Sequence, residues 1–334
     1  MDTIIRKFLH FLEAPSGQGY VYWSGTGGDF SLQDVLDGSN DVLCGDGSDG
    51  TLVFNGVDAV TGCSLDTGGA HPIYTMTQNL NANNITVSNT VEIKTDSYIF
   101  KVLYDATFGT DCIVSNDGTA STNHSSVANS TTHYYSSRKG SGIGRNATAG
   151  AGGNGTAFTS HRLGAAGGSG GTAGGANTGG SAGNPNNGVF ADANGEKFLS
   201  AILGYCRDGT AVNLVCGGSG GGGGGNSGAS SSSTAGGQGG GMLAFLVGGT
   251  LSWGTGCSVT AKGGNSADAS GTAGNAGTGG GGGGGVVIVR SLRRSTQAPT
   301  ISAAGGTGGT PFGTGVQGST GSTGYSVELY TSLV

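Results

Sequence analysis

The sequence predicts an all-β protein, elongated and either solenoid-like or sandwich-like, with a glycine-rich repeat region and a short N-terminal helix. Three observations predict this fold class. Short apolar segments recur along most of the chain, and polar turn residues separate them. Four of these segments begin 44, 44 and 39 residues apart. Glycine supplies 75 of the 334 residues, about three times its usual share, and 60 of the 75 follow residue 138.

The N-terminal segment carries apolar residues at helical spacing, and Pro15 ends it. A helix of about a dozen residues is marginally stable alone in water, so its apolar face requires cover. The helix either packs on its own domain or anchors the protein to a partner. The candidate anchoring residues are Ile4, Ile5, Phe8, Leu9 and Leu12.

Charge and glycine content change together near Lys139. Residues 1–138 hold 15 acidic and 5 basic residues, whereas residues 139–334 hold 5 acidic and 9 basic residues. The shift predicts three domains: an N-terminal helix or anchor over 1–18, an acidic β-rich attachment domain over 19–138, and a glycine-rich repeat domain over 139–334. Strands are predicted in the acidic domain at 20–23, 51–54, 84–88, 91–94, 98–103 and 112–115.

The glycine-rich part is predicted to be a repeat. Each unit has an apolar strand, a turn, a second strand that ends in glycine, and a glycine-rich return. A period of this kind predicts stacked units that share one core. Residues 98–118 resemble a degenerate earlier copy. The first strands are predicted at 198–203, 242–247, 286–289 and 325–330, and the second strands at 212–215, 259–262 and 301–304.

The unbroken glycine tracts at 220–225 and 279–285 have two interpretations. Such composition is typical of flexible linkers. Ordered glycine has a high entropic cost on folding, so it needs compensating contacts. Extended threefold helices without side chains provide these contacts, because they pack closely and hydrogen-bond through their amides, as in polyglycine II. We favour this packed, polyglycine-II-like interpretation.

Composition excludes several classes of protein. The net charge of −6, with no basic run longer than Arg293-Arg294, argues against nucleic-acid binding. No run of roughly 18 apolar residues exists, so we predict no membrane span. The six cysteines form no CxxC motif, which indicates buried thiols in a reducing cytosol. The N-terminus does not have the pattern of a secretion signal.

No motif in the sequence indicates catalysis, a cofactor or a metal site. Two GxSxG matches, at 167–171 and 217–221, follow from the glycine content alone. His124 and His133 lie in a polar stretch that predicts a solvated loop, with an interchain metal clamp as the alternative. The turn at 45–50 resembles one copy of a calcium-binding nonapeptide, but two positions differ and we interpret it as a plain turn.

Three features together resemble the glycine-rich virion surface proteins of tailed bacteriophages. They are the Gly-Asp-Gly-Ser-Asp-Gly turn at 45–50, strand ends of the form Ile-Val-Ser-Asn-Asp-Gly at 113–118, and the glycine run before Val-Val-Ile-Val at 286–289. The glycine-rich part is similar to the receptor-binding adhesins at tail-fibre tips. The resemblance implies a homo-oligomer, expected to be a trimer, on the virion surface after assembly in the host cytoplasm.

The resemblance also implies partners. Other virion proteins would bind the N-terminal part, and a host surface receptor, a glycan or an outer-membrane protein, would bind the glycine-rich part. The alternatives are a capsid decoration or structural protein without a receptor role, and a glycine-rich surface protein that is not viral.

Lone aromatic side chains among Gly, Ser and Asn are the candidate receptor contacts, because rings supply contact area at low entropic cost. Alternatively, each ring covers a local cluster under a loop. The candidates are His133, Tyr134, Tyr135, Phe158, His161, Phe190 and Phe312.

Overall fold

The computed structural model describes residues 44–128, 142–145, 148–156, 164–174, 177–183, 217–330 and 332–333, except for residues 97 and 229. These residues contain β-strands and no α-helix. The helix predicted over 1–18, with its five anchoring candidates, lies outside the described residues. The strands are β1 (Leu52–Phe54), β2 (Cys63–Asp66), β3 (Ile73–Met76), β4 (Leu80–Ala82), β5 (Ile85–Val87), β6 (Glu92–Lys94), β7 (Phe100–Val102), β8 (Ala106–Phe108), β9 (Ile113–Ser115), β10 (Ser231–Ser232), β11 (Met242–Ser252), β12 (Ser258–Thr260), β13 (Ser270–Gly271), β14 (Val286–Arg294), β15 (Thr300–Ser302), β16 (Tyr325–Leu329) and β17 (Ser332–Leu333).

The larger sheet, sheet A, is parallel throughout. Its main path runs β1-β5-β8-β11-β14-β16, and the long strand β11 also pairs with β7, which in turn pairs with β4. The long strand β14 pairs with both β16 and β17. Strands β11 and β14 begin with the apolar runs Met-Leu-Ala-Phe-Leu-Val and Val-Val-Ile-Val, and both faces of these runs are buried. Nearly continuous apolar sequence is typical of a parallel strand with both faces covered.

The smaller sheet, sheet B, has the order β15-β12-β9-β6-β3-β2 and is parallel except for the pair β2–β3. The main hydrophobic core contains side chains from both sheets, such as Phe100 and Phe245 of sheet A and Tyr74 and Val259 of sheet B. Both sheets also combine strands from either side of residue 139, since β7 pairs with β11 and β9 pairs with β12.

The predicted fold class, a solenoid-like or sandwich-like array of glycine-rich repeats, is wrong. The period of 44 residues predicts that the strand at 242–247 lies beside the strand at 198–203. Instead, Phe245–Val247 of β11 pairs with β7 on one edge and with β14 on the other. Both edges are occupied, and one neighbour begins 145 residues earlier in the chain. Packing in the core selects the neighbours of a strand, and sequence period alone does not identify them.

Glycine-rich segments 261–285 and 303–324 each lead from a strand of sheet B, β12 or β15, to the next strand of sheet A, β14 or β16. They lie outside the two main sheets and hydrogen-bond to one another through backbone atoms, together with segments from 142–183 that carry no strand. We call this region the glycine block. It consists of residues 142–145, 148–156, 164–174, 177–183, 217–241 without 229, 261–285 and 303–324.

Hydrogen bonds in the glycine block repeat every three residues. Along 218–226, each set of amides three residues apart donates to a different neighbouring segment, and the carbonyls of 218–226 accept from further segments, such as 277–283 and 180–183. A Cβ at any glycine of 221–225 would lie within 2.6 Å of a neighbouring backbone oxygen, which explains the unbroken glycine there. The pairs are Gly218–Gly240, Gly221–Gly237 and Gly224–Thr234; Ser219–Ala165, Gly222–Gly168 and Gly225–Gly171; and Gly220–Thr156, Gly223–Gly153 and Asn226–Gly150, donor first.

Polar side chains at the ends of strands hydrogen-bond to backbone amides at the ends of the neighbouring strands. Asn89 Oδ1 accepts from the Thr110 amide at 2.8 Å, Asp105 Oδ1 from the Thr250 amide at 2.6 Å, and Asp117 Oδ1 from the Lys262 amide at 2.6 Å. Each bond satisfies a backbone donor where the regular ladder ends. The Asp and Asn residues that the sequence indicates as turn formers therefore also hold neighbouring strands in register.

Asp117 should make stability depend on pH. Burial raises the pKa of its carboxyl above the ordinary value of 3.8. The folded protein therefore holds this proton more tightly than the unfolded chain, and stability falls as the pH rises from 3.8 through the raised pKa. We expect Asp117→Asn to remove this loss while keeping an oxygen for the Lys262 amide. In urea unfolding, the free energy of unfolding of the variant minus that of the parent should be larger at pH 7 than at pH 3.

Asp268→Asn is the control of opposite sign. A hydrogen bond from the Thr310 amide lowers the pKa of the exposed Asp268 carboxyl. Its ionised form therefore stabilises the fold above the ordinary pKa, and the variant should lose stability relative to the parent as the pH rises. If Asp117→Asn changes the free energy of unfolding by the same amount at pH 3 and pH 7, the raised pKa of Asp117 is contradicted.

Candidate functional site

The segments of the glycine block join the sheets at one end and turn at the other. Gly241, Gly285 and Gly324 lead directly into β11, β14 and β16. At the opposite end, isolated bridges connect Gly150 to Asn226, Asn226 to Ala276, and Ala276 to Phe312. These turns form one cluster of loops, which we call the tip. It comprises residues 145, 148–150, 172–174, 226–233 without 229, 268–276 and 310–316.

Asn226 organises one side of the tip. Its side chain is fully buried, and its Nδ2 donates to the carbonyls of Ser231 at 2.7 Å and of Arg145 at 3.2 Å. Its Oδ1 accepts from Ser231 Oγ at 2.5 Å. Ser233 Oγ also donates to the Gly224 carbonyl at 2.8 Å. One amide therefore fixes two loops at the point where the glycine run 217–225 ends.

Asn275 has a similar role on the other side. Its Oδ1 accepts from the backbone amide of Thr314 at 2.8 Å, and its backbone amide donates to Ser227 Oγ at 2.7 Å. The turns on either side contain Gly274 at φ 84° and Gly313 at φ 66°, which are left-handed values that favour glycine. The loops at 226–228, 274–276 and 312–314 are thus connected through side chains as well as backbone.

The surface of the tip is mostly polar and exposes one basic and one acidic side chain, Arg145 and Asp268, together with the apolar side chain of Val316. Arg145, Thr272 and Thr314 are exposed, and Arg145 Nε donates to the Ala151 carbonyl at 2.8 Å. Exposed hydroxyls and a positioned guanidinium suit hydrogen bonding to a polar ligand. Among the described residues, no group of three or more His, Cys, Asp or Glu residues could hold a metal ion.

Of the predicted receptor contacts, the described part of the chain contains Phe312, which lies at the tip. Phe312 is half-buried, and its ring is close enough to Gly271 that a Cβ there would lie 2.9 Å from Cε1. Its role as a receptor contact remains a prediction. The other candidates lie outside the described residues. They are His133, Tyr134, Tyr135, Phe158, His161 and Phe190.

Sequence reasoning missed the residues that organise the tip, Arg145, Asn226, Ser231 and Asn275. A signal for two of them is present, because Asn226 ends the glycine run at 217–225 and Asn275 precedes the run at 279–285 by a few residues. Asn tolerates turn conformations and bonds to nearby backbone, so an Asn at the end of a glycine run indicates a turn. The contacts between different loops could not be read from the sequence.

No protein-family model matches the chain, and comparisons with curated proteins and with solved structures find no significant match. In the part of the chain that the structure describes, no helix has the length and apolar character needed to cross a membrane. The function is therefore inferred from the tip and the architecture that supports it.

Proposed function

We propose that this protein is a virion surface protein of a tailed bacteriophage, of the fibre or adhesin type, which presents the tip to a receptor on the host surface. The observation that carries the proposal is a cluster of polar loops held at the free end of a densely hydrogen-bonded block. The resemblance in sequence pattern to tail-fibre adhesins supports the phage setting. By the same resemblance, the protein acts as a homo-oligomer, expected to be a trimer.

The construction suits recognition better than catalysis. Binding loops function best on a rigid support, because less conformational freedom is lost when the ligand binds. Each segment of the glycine block is hydrogen-bonded to several neighbours, and Asn226 and Asn275 fix the loops to the block. The exposed groups that remain are hydroxyls, backbone amides, the Arg145 guanidinium and the Asp268 carboxylate, with the apolar side chain of Val316 beside them. This mixture suits a glycan or the loops of an outer-membrane protein.

Binding of labelled protein to bacterial cells tests the proposal. We expect saturable binding of the full chain to cells of its host in a screen of strains. A double variant, Thr272→Arg with Thr314→Arg, adds bulk to the tip and keeps the backbone bonds of both residues. It should weaken binding at least 10-fold, since loss of about 1.4 kcal/mol at one contact has that effect.

The control, which we call the sheet variant, places the same side chains in two connections between strands of the sheets. Val57 is 78% exposed and Tyr104 is 57% exposed, and both lie away from the tip. Val57→Arg with Tyr104→Arg should bind like the parent. Point variants suit this test better than deletion of the chain after residue 139, because deletion would remove the partners of β7, β8 and β9.

Two outcomes would overturn the receptor-binding role. One is cell binding that the tip variant keeps and the sheet variant loses. The other is a folded protein that binds no strain in the screen, which would favour a capsid decoration or structural protein without a receptor role.

A further inference from the structure

Cys112 and Cys257 lie side by side in the core, although 145 positions separate them in the sequence. Each directly precedes a residue of the parallel pair β9–β12, in which Ile113 is in register with Ser258. Neighbouring strands are about 4.8 Å apart, which is within the Cα separation that a disulfide spans. The register therefore places the two cysteines opposite each other.

Both side chains point into the same core, and each thiol donates to a carbonyl of the preceding turns. Cys112 Sγ lies 3.0 Å from the Ser88 carbonyl oxygen, and Cys257 Sγ lies 3.0 Å from that of Gly109. Interaction with the neighbouring thiol lowers the pKa of Cys257 and raises the pKa of Cys112. Cys257 is therefore the thiol of the pair that loses its proton more readily, and the thiolate is the form that attacks a disulfide.

We propose that Cys112 and Cys257 form a reversible disulfide that joins sheet B across the long insertion between β9 and β12. Oxidised glutathione serves as the oxidant. Cys257 first loses its proton to solvent, and the second glutathione thiolate to leave takes up one proton from solvent at the end. The Cys257 sulfur attacks one sulfur of the oxidised glutathione, forms a mixed disulfide and releases one glutathione thiolate. That thiolate takes the Cys112 proton, and the Cys112 sulfur then attacks the Cys257 sulfur and expels the second glutathione. Two protein thiols are oxidised, and one glutathione disulfide is reduced to two thiols.

Access to the pair requires only local opening. Both cysteines are 1% exposed, but each follows an exposed turn residue, Asp111 at φ 55° and Gly256 at φ 78°. The Asp111 amide donates to the Thr255 carbonyl at 2.8 Å, so the two turns open together. Opening of surface turns costs less free energy than global unfolding, and the sheets remain intact.

The test uses the full chain equilibrated in glutathione buffers of increasing oxidised fraction, then quenched with acid, denatured, alkylated and digested. We expect two of the six thiols to become protected, and a peptide pair containing Cys112 and Cys257 with a mass about 2 Da below the sum of its parts. Dithiothreitol should reverse the change. The oxidised protein should unfold at a higher denaturant concentration than the reduced protein.

Three variants identify the pair. Cys112→Ser and Cys257→Ser should each abolish the crosslinked peptide, and Cys44→Ser should retain it as the control. To allow for slow access, the oxidation is repeated in about 1 M urea, which favours opening of the turns while the circular dichroism spectrum remains native. A parent protein that stays folded and still yields only separately alkylated Cys112 and Cys257 overturns the proposal.

Discussion

Gly281→Ala should destabilise the protein by about 2–4 kcal/mol, because the glycine block has no space for even one methyl group at this position. A Cβ on Gly281 would overlap the carbonyl group of Gly306 and would lie 2.7 Å from the Thr307 amide nitrogen. All of these atoms belong to the backbone, so no side chain can rotate away. The change should appear as a lower midpoint in urea unfolding.

Gly228→Ala is the control, since it adds the same methyl group to a glycine in the loops of the tip, where space is open. A Cβ on Gly228 meets no atom within 4 Å, and its φ is not left-handed. We expect its stability to lie within about 0.5 kcal/mol of the parent. Equal effects of the two substitutions would contradict the packing of the glycine block, because composition alone does not distinguish the two residues.

The comparison also separates two reasons for glycine in this chain. Gly281 does not have a left-handed φ, so its requirement is space. Gly256 has a φ of 78° and lies in a turn, so its requirement is conformational. The high glycine content thus combines a packing requirement in the block with a turn requirement at the strand ends. The number of glycines in the sequence does not show which of them are required for packing and which for a left-handed φ.

Much of the local structure could be predicted from the sequence. The structure has strands at most of the apolar segments in its described part, such as β5, β9, β11 and β14. These segments combine β-branched residues with flanking turn residues, which is a local signal. The short strand β8, Ala-Thr-Phe, escaped prediction because it has one large apolar residue, whereas β5 and β9, of the same length, each have two β-branched apolar residues.

The arrangement of strands could not be predicted in the same way. β11 lies between β14, 44 residues later, and β7 and β8, which belong to a part of the chain about 145 residues earlier. The sequence period predicts the pairing of β11 with β14. It conceals the pairing of β11 with β7 and β8, because residues 198–203 supply an apolar segment at the spacing that the period predicts. The organisation of the tip by Asn226 was hidden for the same reason, since its hydrogen bond to the Arg145 carbonyl joins segments 81 positions apart.

Phe245→Ala should destabilise the protein by about 3–5 kcal/mol, the usual cost of removing a buried phenylalanine ring. Phe245 is fully buried in β11 and in register with Phe100 of β7, with 4.9 Å between ring centroids. Its ring also contacts Phe108 at 5.6 Å and Trp253 at 6.1 Å. Tyr104→Ala, at a position 57% exposed, is the control and should change stability by less than about 0.5 kcal/mol.

Amide hydrogen exchange of Phe245→Ala, compared with the parent, shows which strands lose protection when the cavity is created. The ring lies where β7, from before residue 139, meets β11, from after it, so the sheets should lose stability as one cooperative unit. Amides of Val102 and Val259 should therefore lose protection together, although they lie on opposite sides of the charge boundary. Loss confined to Val259 would instead indicate that the part before residue 139 folds independently, and the pairing of β7 with β11 would then contribute little to stability.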